Sequence, residues 1–203
     1  MNLPNRLTIS RIVMIPVFVL FFYLHFTAHY FVAWTVFAVA CFTDLFDGML
    51  ARKYNVVTNL GKFLDPIADK VLVLSGFVVL LTKPEIFCAN LDNWAMIVAG
   101  CSVAIILARE IIVSGLRMVA ANSGIVIAAD KLGKYKTFAQ DIAIGIFLIG
   151  EGVVELTDHI IGKVINYIGI AVFVIAVLLT IISGIIYIVK NLQVLKDNGN
   201  SEN

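Results

Sequence analysis

The sequence predicts an all-α, polytopic membrane protein with six transmembrane helices and both termini on the cytoplasmic side. The first observation is composition: the chain of 203 residues is 61% hydrophobic and 14% charged, with a mean hydropathy of +0.97. A water-soluble domain of this size needs a larger polar surface, so the composition excludes that class. The other two observations are the lengths of the apolar runs and the distribution of the basic residues.

Six apolar runs have, or nearly have, the length of about 20 residues with which a helix crosses a bilayer. They cover residues 8–27, 31–53, 61–82, 94–119, 133–156 and 161–189. The second and third runs contain acidic residues at one end, and the fourth carries Arg109, Glu110 and Arg117 in its second half. We therefore expect one transmembrane domain over residues 1–197 and a polar tail over residues 198–203.

The basic residues give the orientation. With six crossings and both termini inside, all of the 15 Lys and Arg residues except Lys83 and Lys163 lie at the cytoplasmic ends of the helices. They are Arg6, Arg11, Arg52, Lys53, Lys62, Lys70, Arg109, Arg117, Lys131, Lys134, Lys136, Lys190 and Lys196. This bias follows the positive-inside rule, so it supports six spans and cytoplasmic termini in a protein that we expect in the cell membrane. The formal net charge of +1 gives no reason to expect a nucleic-acid partner, so membrane lipids are the expected surroundings.

Four aspartates interrupt the second and third apolar runs near their cytoplasmic ends. A charged residue inside a bilayer costs about 2.5–3.5 kcal/mol on insertion scales, so such residues are rare and usually functional. Asp44 and Asp47 are three residues apart, a spacing that shares one face of a helix. Asp65 and Asp69 are four apart and form a matching face on the next helix. Two antiparallel helices therefore bring two carboxylate pairs together at the cytoplasmic side.

The four carboxylates predict a site for divalent metal ions. Carboxylates that face one another repel and take up protons unless cations neutralise them. Oxygen ligands favour magnesium, manganese or calcium over zinc, and a pair of such ions suits phosphoryl transfer. Gly48, Ala51 and Gly61 keep the same faces free of bulk, and Arg52 adds a donor fork for phosphate. Two alternatives are ion pairs of the aspartates with nearby basic residues and helix packing at the small residues.

The full arrangement is Asp44-x2-Asp47-Gly48-x2-Ala51-Arg52-x8-Gly61-x3-Asp65-x3-Asp69. It resembles the complete signature of the CDP-alcohol phosphatidyltransferase family. The chain as a whole, including its opening segment from Asn2 to Arg11, is most similar to bacterial members whose acceptor is glycerol 3-phosphate. The resemblance implies a phospholipid-synthesising transferase that takes CDP-diacylglycerol as donor and releases CMP. It also implies a homodimer and an active site at the cytoplasmic side of a bacterial membrane.

The resemblance further assigns roles to individual residues. Asp44, Asp47 and Asp65 would hold two Mg²⁺ or Mn²⁺ ions, with Asp47 bridging both. Asp69 would lie near the second ion and act as the general base. The CDP-diacylglycerol site would be lined by residues of the first three segments, namely Asn5, Thr8, Gly48, Ala51, Arg52 and Gly61.

Basic residues in and after the fourth segment are the candidates for binding an anionic acceptor. They are Arg109, Arg117, Lys131, Lys134 and Lys136. Arginine can contact a phosphate with two donors at once, which suits an acceptor such as glycerol 3-phosphate. For Arg109 the alternative is an intramembrane ion pair with Glu110 or Asp141. For the three lysines the alternative is a basic loop that fixes topology and attracts anionic lipid headgroups.

Two other functions remain open at this point. The first keeps the family and changes the acceptor to phosphatidylglycerol, serine or inositol phosphate. The second, from another class, is a divalent-cation transporter in which the acids line an ion path. A transporter predicts polar residues across the whole bilayer, but the stretches Phe31–Cys41 and Val71–Leu81 are apolar in all but a few positions. That observation favours the transferase.

Overall fold

The computed structural model describes residues 3–54, 59–88, 93–122, 131–157 and 159–196, with side chains over 9–43, 67–68, 70–87, 94–120, 132–157 and 159–191. Within these ranges the chain forms seven α-helices. They are α1 (Leu3–Tyr23), α2 (His29–Tyr54), α3 (Asn59–Leu81), α4 (Pro84–Cys88), α5 (Asn93–Asn122), α6 (Lys131–Leu156) and α7 (His159–Lys196). The prediction of an all-α protein is confirmed for the described part of the chain.

Each of the six apolar runs coincides with one helix, namely α1, α2, α3, α5, α6 or α7. Helix α1 begins at Leu3 rather than at residue 8, and α7 continues to Lys196 rather than to residue 189. Hydropathy marks the apolar part of a helix, whereas both of these helices continue into polar residues. The short α4 is not predicted from the sequence. It begins at Pro84, which suits the first helical position because the missing N–H needs no partner there.

Three helices in the described part of the chain are long and apolar enough to cross a membrane. These stretches run over Trp94–Ala120, Leu132–Leu156 and His159–Asn191. Shorter apolar stretches cover Ile9–Tyr23, His29–Thr43 and Lys70–Leu81. The structure thus has the helices of a membrane protein, while six crossings and cytoplasmic termini stay predictions. The predicted tail over residues 198–203 lies outside the described residues.

The helices pack into a bundle whose apolar core contains a group of phenylalanines. Helix α6 packs along α7, α1 packs on α2 and α3, and α2 also contacts α6. The short α4 places Phe87 between the two long helices, with ring centroids 4.8 Å from Phe147 of α6 and 5.3 Å from Phe173 of α7. Phe77 of α3 lies 5.2 Å from Phe173 in the same group. These rings join four helices, because aromatic groups bury large areas and prefer such tilted contacts.

The two ends of the bundle differ in their contacts. At one end the Tyr23 hydroxyl lies 2.8 Å from that of Thr82, which joins the ends of α1 and α3. The turn after α1 is tied to the end of α6, because the Ala28 amide donates to Glu155 Oε1 at 3.1 Å. We call the opposite end the charged end. It comprises the starts of α1, α3 and α6 and the ends of α2, α5 and α7.

Candidate active site

The residues of the aspartate signature lie on two consecutive helices at the charged end. Asp44 and Asp47 belong to the last part of α2, and Asp65 and Asp69 belong to the first half of α3. Gly48, Ala51 and Arg52 follow on α2, Gly61 precedes on α3, and Asn5 and Thr8 lie near the start of α1. The side chains of all these residues are outside the described part of the structure. Helical spacing puts each aspartate pair on one face of its own helix, and the predicted meeting of the two faces stays a prediction.

Lys70 connects the aspartate-bearing helix to a polar cluster on α5. This lysine follows Asp69 in α3, and its Nζ donates to Ser114 Oγ of α5. Ser114 Oγ in turn donates to the backbone oxygen of Glu110 at 2.6 Å. The sequence predicts Lys70 as one of the cytoplasmic basic residues but gives it no role in a site.

Glu110 is the centre of this cluster, because its Oε1 contacts two basic groups on different helices. Arg109 Nη1 donates to Glu110 Oε1 at 3.2 Å, and Lys136 of α6 forms an ion pair with the same oxygen. The side chains are well shielded, with exposed fractions of 11% for Arg109, 15% for Glu110 and 3% for Lys136. Arg109 Nη2 also donates to Ser183 Oγ of α7 at 3.1 Å. The ion pair between Arg109 and Glu110 that the sequence offers as an alternative is therefore present, and it includes Lys136.

The other predicted acceptor residues are distributed around this cluster. Arg117 lies eight residues beyond Arg109 on α5, which is about 12 Å at the helical rise of 1.5 Å per residue. Its Nε donates to Tyr187 Oη of α7 at 3.1 Å, and its guanidinium carbon lies 5.4 Å from the ring centroid. Lys134 has an exposed side chain on α6. Lys131 begins α6, and its side chain lies outside the described residues. Of the five predicted cations, the structure brings Arg109 and Lys136 together.

A small cavity lies beside Glu110, between α3, α5 and α6. It has room for about one water molecule. It is lined by Lys70, Val73, Leu74, Ile106, Glu110, Thr137 and Gln140. Gln140 is held in place from the α7 side, because its Nε2 donates to the buried Thr180 Oγ1 at 3.0 Å. One polar residue of the lining, Gln140, is therefore fixed by a contact with α7.

Sequence reasoning gave no functional role to Lys70, Glu110, Ser114 and Gln140. A signal for them exists in the helical spacing of polar residues within the apolar runs. Glu110 and Ser114 are four residues apart on α5, and so are Lys136 and Gln140 on α6. Such pairs share a helix face. Which faces meet across the bundle is decided by tertiary packing, so the spacing alone does not reveal the cluster.

The bundle, its membrane-type helices and the polar cluster around Glu110 fit a helical membrane protein, within the part of the chain that the structure describes. The family of this protein follows from comparison with known sequences. A family model described as CDP-alcohol phosphatidyltransferase matches residues 1–189. The chain therefore belongs to the CDP-alcohol phosphatidyltransferase family, and the sequence-based family prediction is confirmed. Membership in a transferase family sets the transporter alternative aside.

Relatives with assigned names are similar over nearly the whole chain. A CDP-diacylglycerol–glycerol-3-phosphate 3-phosphatidyltransferase of Rickettsia typhi is 41% identical over 189 residues, which cover 92% of this chain and 94% of the relative. The protein of the same name from Bacillus subtilis is 39% identical over 208 residues, covering 96% and 97%. A probable phosphatidylglycerophosphate synthase of Mycobacterium tuberculosis is 38% identical over 195 residues, covering 95% and 82%.

Proposed function

We propose that this protein transfers the phosphatidyl group of CDP-diacylglycerol to glycerol 3-phosphate, giving phosphatidylglycerophosphate and CMP. The names of the relatives, which match over most of their length, support this reaction. The observation that carries the choice of a phosphorylated acceptor is the pair of shielded cations, Arg109 and Lys136, held on one carboxylate. The reaction takes place at the cytoplasmic side of a bacterial cell membrane, in a protein that assembles as a homodimer.

The donor set of the aspartate signature fits Mg²⁺ or Mn²⁺. Asp44 and Asp47 on α2 and Asp65 and Asp69 on α3 offer only carboxylate oxygens, which these hard cations prefer. Asp44, Asp47 and Asp65 would hold two ions, with Asp69 beside the second. When bound, the ions supply positive charge that neutralises phosphate oxygens during transfer.

The chain's own residues hold the donor and move the proton. The cytidine and pyrophosphate of CDP-diacylglycerol bind to residues of the first three helices, namely Asn5, Thr8, Gly48, Ala51, Arg52 and Gly61. Asp69 accepts the proton of the reacting hydroxyl of glycerol 3-phosphate, as a general base positioned within reach of that group. The hydroxyl oxygen forms a bond to the phosphatidyl phosphorus. The bond from that phosphorus to the bridging oxygen breaks, and CMP leaves with this oxygen and its electron pair.

The acceptor phosphate binds at Arg109 and Lys136, the two cations paired with Glu110, and Lys70 adds its charge nearby. Lys70, Arg109 and Lys136 carry three formal positive charges and Glu110 one negative charge, which leaves two positive charges. A phosphate monoester carries close to two negative charges at neutral pH, so the formal charges match. Because Glu110 and Ser183 already fix the orientation of Arg109, little side-chain entropy is lost when the phosphate binds. Arg117, Lys131 and Lys134 lie further out and attract the anion towards the site.

The test is an assay of purified protein with CDP-diacylglycerol, Mg²⁺ or Mn²⁺, and glycerol 3-phosphate, in which CMP and the lipid product are both measured. The Asp69→Asn variant should lose at least about 100-fold in rate, the usual contribution of a general base. Asp158→Asn is the matched control, because it makes the same change outside the signature, and it should keep the wild-type rate. CMP release only with phosphatidylglycerol, serine or inositol phosphate would contradict the acceptor. Equal loss in both variants would contradict the assignment of the base.

A further inference from the structure

The cavity beside Glu110 is not suited to any group that the proposed reaction has so far assigned. The polar residues of its lining are Lys70, Glu110, Thr137 and Gln140. Room for about one water molecule is too little for a phosphate or a cytosine ring. A small neutral group that both donates and accepts a hydrogen bond fits this space, and a hydroxyl group is such a group.

We propose that this cavity binds the hydroxyl group of the acceptor that does not react, with Glu110 accepting its hydrogen bond and Lys70 donating one to its oxygen. The proposal rests on the proposed function and deepens it. It predicts the substrate class as a phosphorylated polyol that carries a second free hydroxyl. Thr137 and Gln140 complete the polar wall, and the Thr180 contact fixes Gln140 in it.

The place of the cavity in the bundle agrees with the order of groups in glycerol 3-phosphate. Glu110, which lines the cavity, contacts Arg109 and Lys136, which bind the phosphate in the proposed function. Lys70, which also lines the cavity, follows Asp69 along α3. In the acceptor, the middle carbon with its hydroxyl lies between the phosphate-bearing carbon and the carbon of the reacting hydroxyl. The middle hydroxyl is therefore the free hydroxyl nearest to the phosphate, and the cavity adjoins the cations that bind this phosphate.

The test compares two acceptors in the same protein preparation. Propane-1,3-diol monophosphate has the phosphate and the reacting hydroxyl of glycerol 3-phosphate but lacks the middle hydroxyl. The wild type should prefer glycerol 3-phosphate by about 10- to 100-fold in kcat/KM, the effect of a hydrogen bond to a charged group. Glu110→Gln should reduce this preference to a few-fold, because a neutral amide makes a weaker bond. A fraction of misfolded protein cancels from the ratio, so the comparison does not depend on how well the variant folds.

Glu151→Gln is the matched control, since it makes the same substitution in a shielded carboxylate of α6, where Asn166 Nδ2 donates to Glu151 Oε1 at 2.7 Å. This residue is remote from the cavity, and its variant should keep the wild-type preference. Equal use of both acceptors by the wild type would overturn the inference and leave the proposed function intact. An unchanged preference in Glu110→Gln would also overturn it. Transfer to neither acceptor would overturn the proposed function and the inference together.

Discussion

Lys134 and Lys136 lie two positions apart at the start of α6, and their side chains have different surroundings. The Lys134 side chain is exposed. The Lys136 side chain is 3% exposed and forms an ion pair with Glu110. A shielded charge acts through a lower effective dielectric than an exposed one, so its interaction with a bound phosphate is stronger. The two lysines should therefore contribute very differently to binding of the acceptor.

We expect Lys136→Met to raise the KM for glycerol 3-phosphate by at least about tenfold, because a charge-assisted contact to phosphate is lost. Lys134→Met should change this KM less than about threefold, since an exposed charge is screened by solvent and salt. Both variants replace a lysine by a side chain of similar length. Steady-state kinetics with the donor at saturation measures the effect, and the KM for CDP-diacylglycerol should stay near the wild-type value in both. Equal effects of the two substitutions on this KM would contradict the assignment of Lys136 as a phosphate-binding residue.

At the scale of single residues, the sequence shows the aspartate signature directly but does not show the contacts of Glu110. The aspartates, such as Asp65 and Asp69, are recognised by spacing within one chain segment, which a sequence states directly. Glu110 contacts Arg109 beside it and also Lys136 on another helix. The first contact is visible as a neighbour in the sequence, whereas the second depends on how α5 and α6 are placed. From the sequence, Glu110 was therefore one of two candidate partners for Arg109, and its second ion pair, with Lys136, was not predicted.

Helices α6 and α7 approach closely at two glycines. A Cβ added at Gly162 of α7 would lie 2.8 Å from the backbone oxygen of Gly150 and 2.8 Å from the backbone nitrogen of Val154, both in α6. Backbone atoms cannot give way as a flexible side chain can. Small residues at such crossings allow close packing of helices in membranes. The contact fixes the distance between α6, which carries Lys136 and Gln140, and α7, whose Thr180 accepts the hydrogen bond from Gln140.

We expect Gly162→Ala to destabilise the fold by about 1–3 kcal/mol, the usual cost of overpacking, because α6 and α7 must move apart. Gly100→Ala on α5 is the matched control, since a Cβ there meets nothing within 4 Å. It should be neutral or stabilising by up to about 1 kcal/mol, from the better helix propensity of alanine. Thermal unfolding of the detergent-solubilised variants measures both effects. Equal stability of the two variants would show that the α6–α7 distance can adjust freely.

At the scale of helices, the sequence predicts which helices form better than it predicts where they begin and end. Long apolar runs identify six helices because the bilayer requires about 20 apolar residues for a crossing. The ends are less well predicted, since the first turns of α1 are helical although polar, and hydropathy does not report helicity there. Helix α4 has five residues, too few for any periodic pattern. Its Phe87 nevertheless contributes to the core, a contact that depends on the positions of α6 and α7.

For the whole molecule, the arrangement of the helices places the predicted functional groups at one end of the bundle. Contacts of Lys70 with Ser114, of Arg109 with Ser183 and of Gln140 with Thr180 connect α3, α5, α6 and α7 towards the charged end. If the positive-inside rule holds, this end faces the cytoplasm, where glycerol 3-phosphate and CMP are water-soluble and accessible. Lys163, near the start of α7, lies towards the opposite end. The sidedness of the bundle can therefore be tested with two lysines.

We expect a cysteine at position 163 to be labelled by a membrane-impermeant maleimide in intact spheroplasts, and a cysteine at position 134 only after permeabilisation. Lys163→Cys and Lys134→Cys form a matched pair, because both lysines have exposed side chains on long helices. The substitutions are made in a protein whose Cys41, Cys88 and Cys101 are replaced by serine, and gel shift measures the labelling. Because the charged end would face inwards, its thiol is shielded by the membrane until the cell is opened. The reverse labelling pattern would place the charged end outside and contradict a cytoplasmic active site. Labelling of both cysteines in intact spheroplasts would show that α6 and α7 do not begin on opposite sides of the membrane.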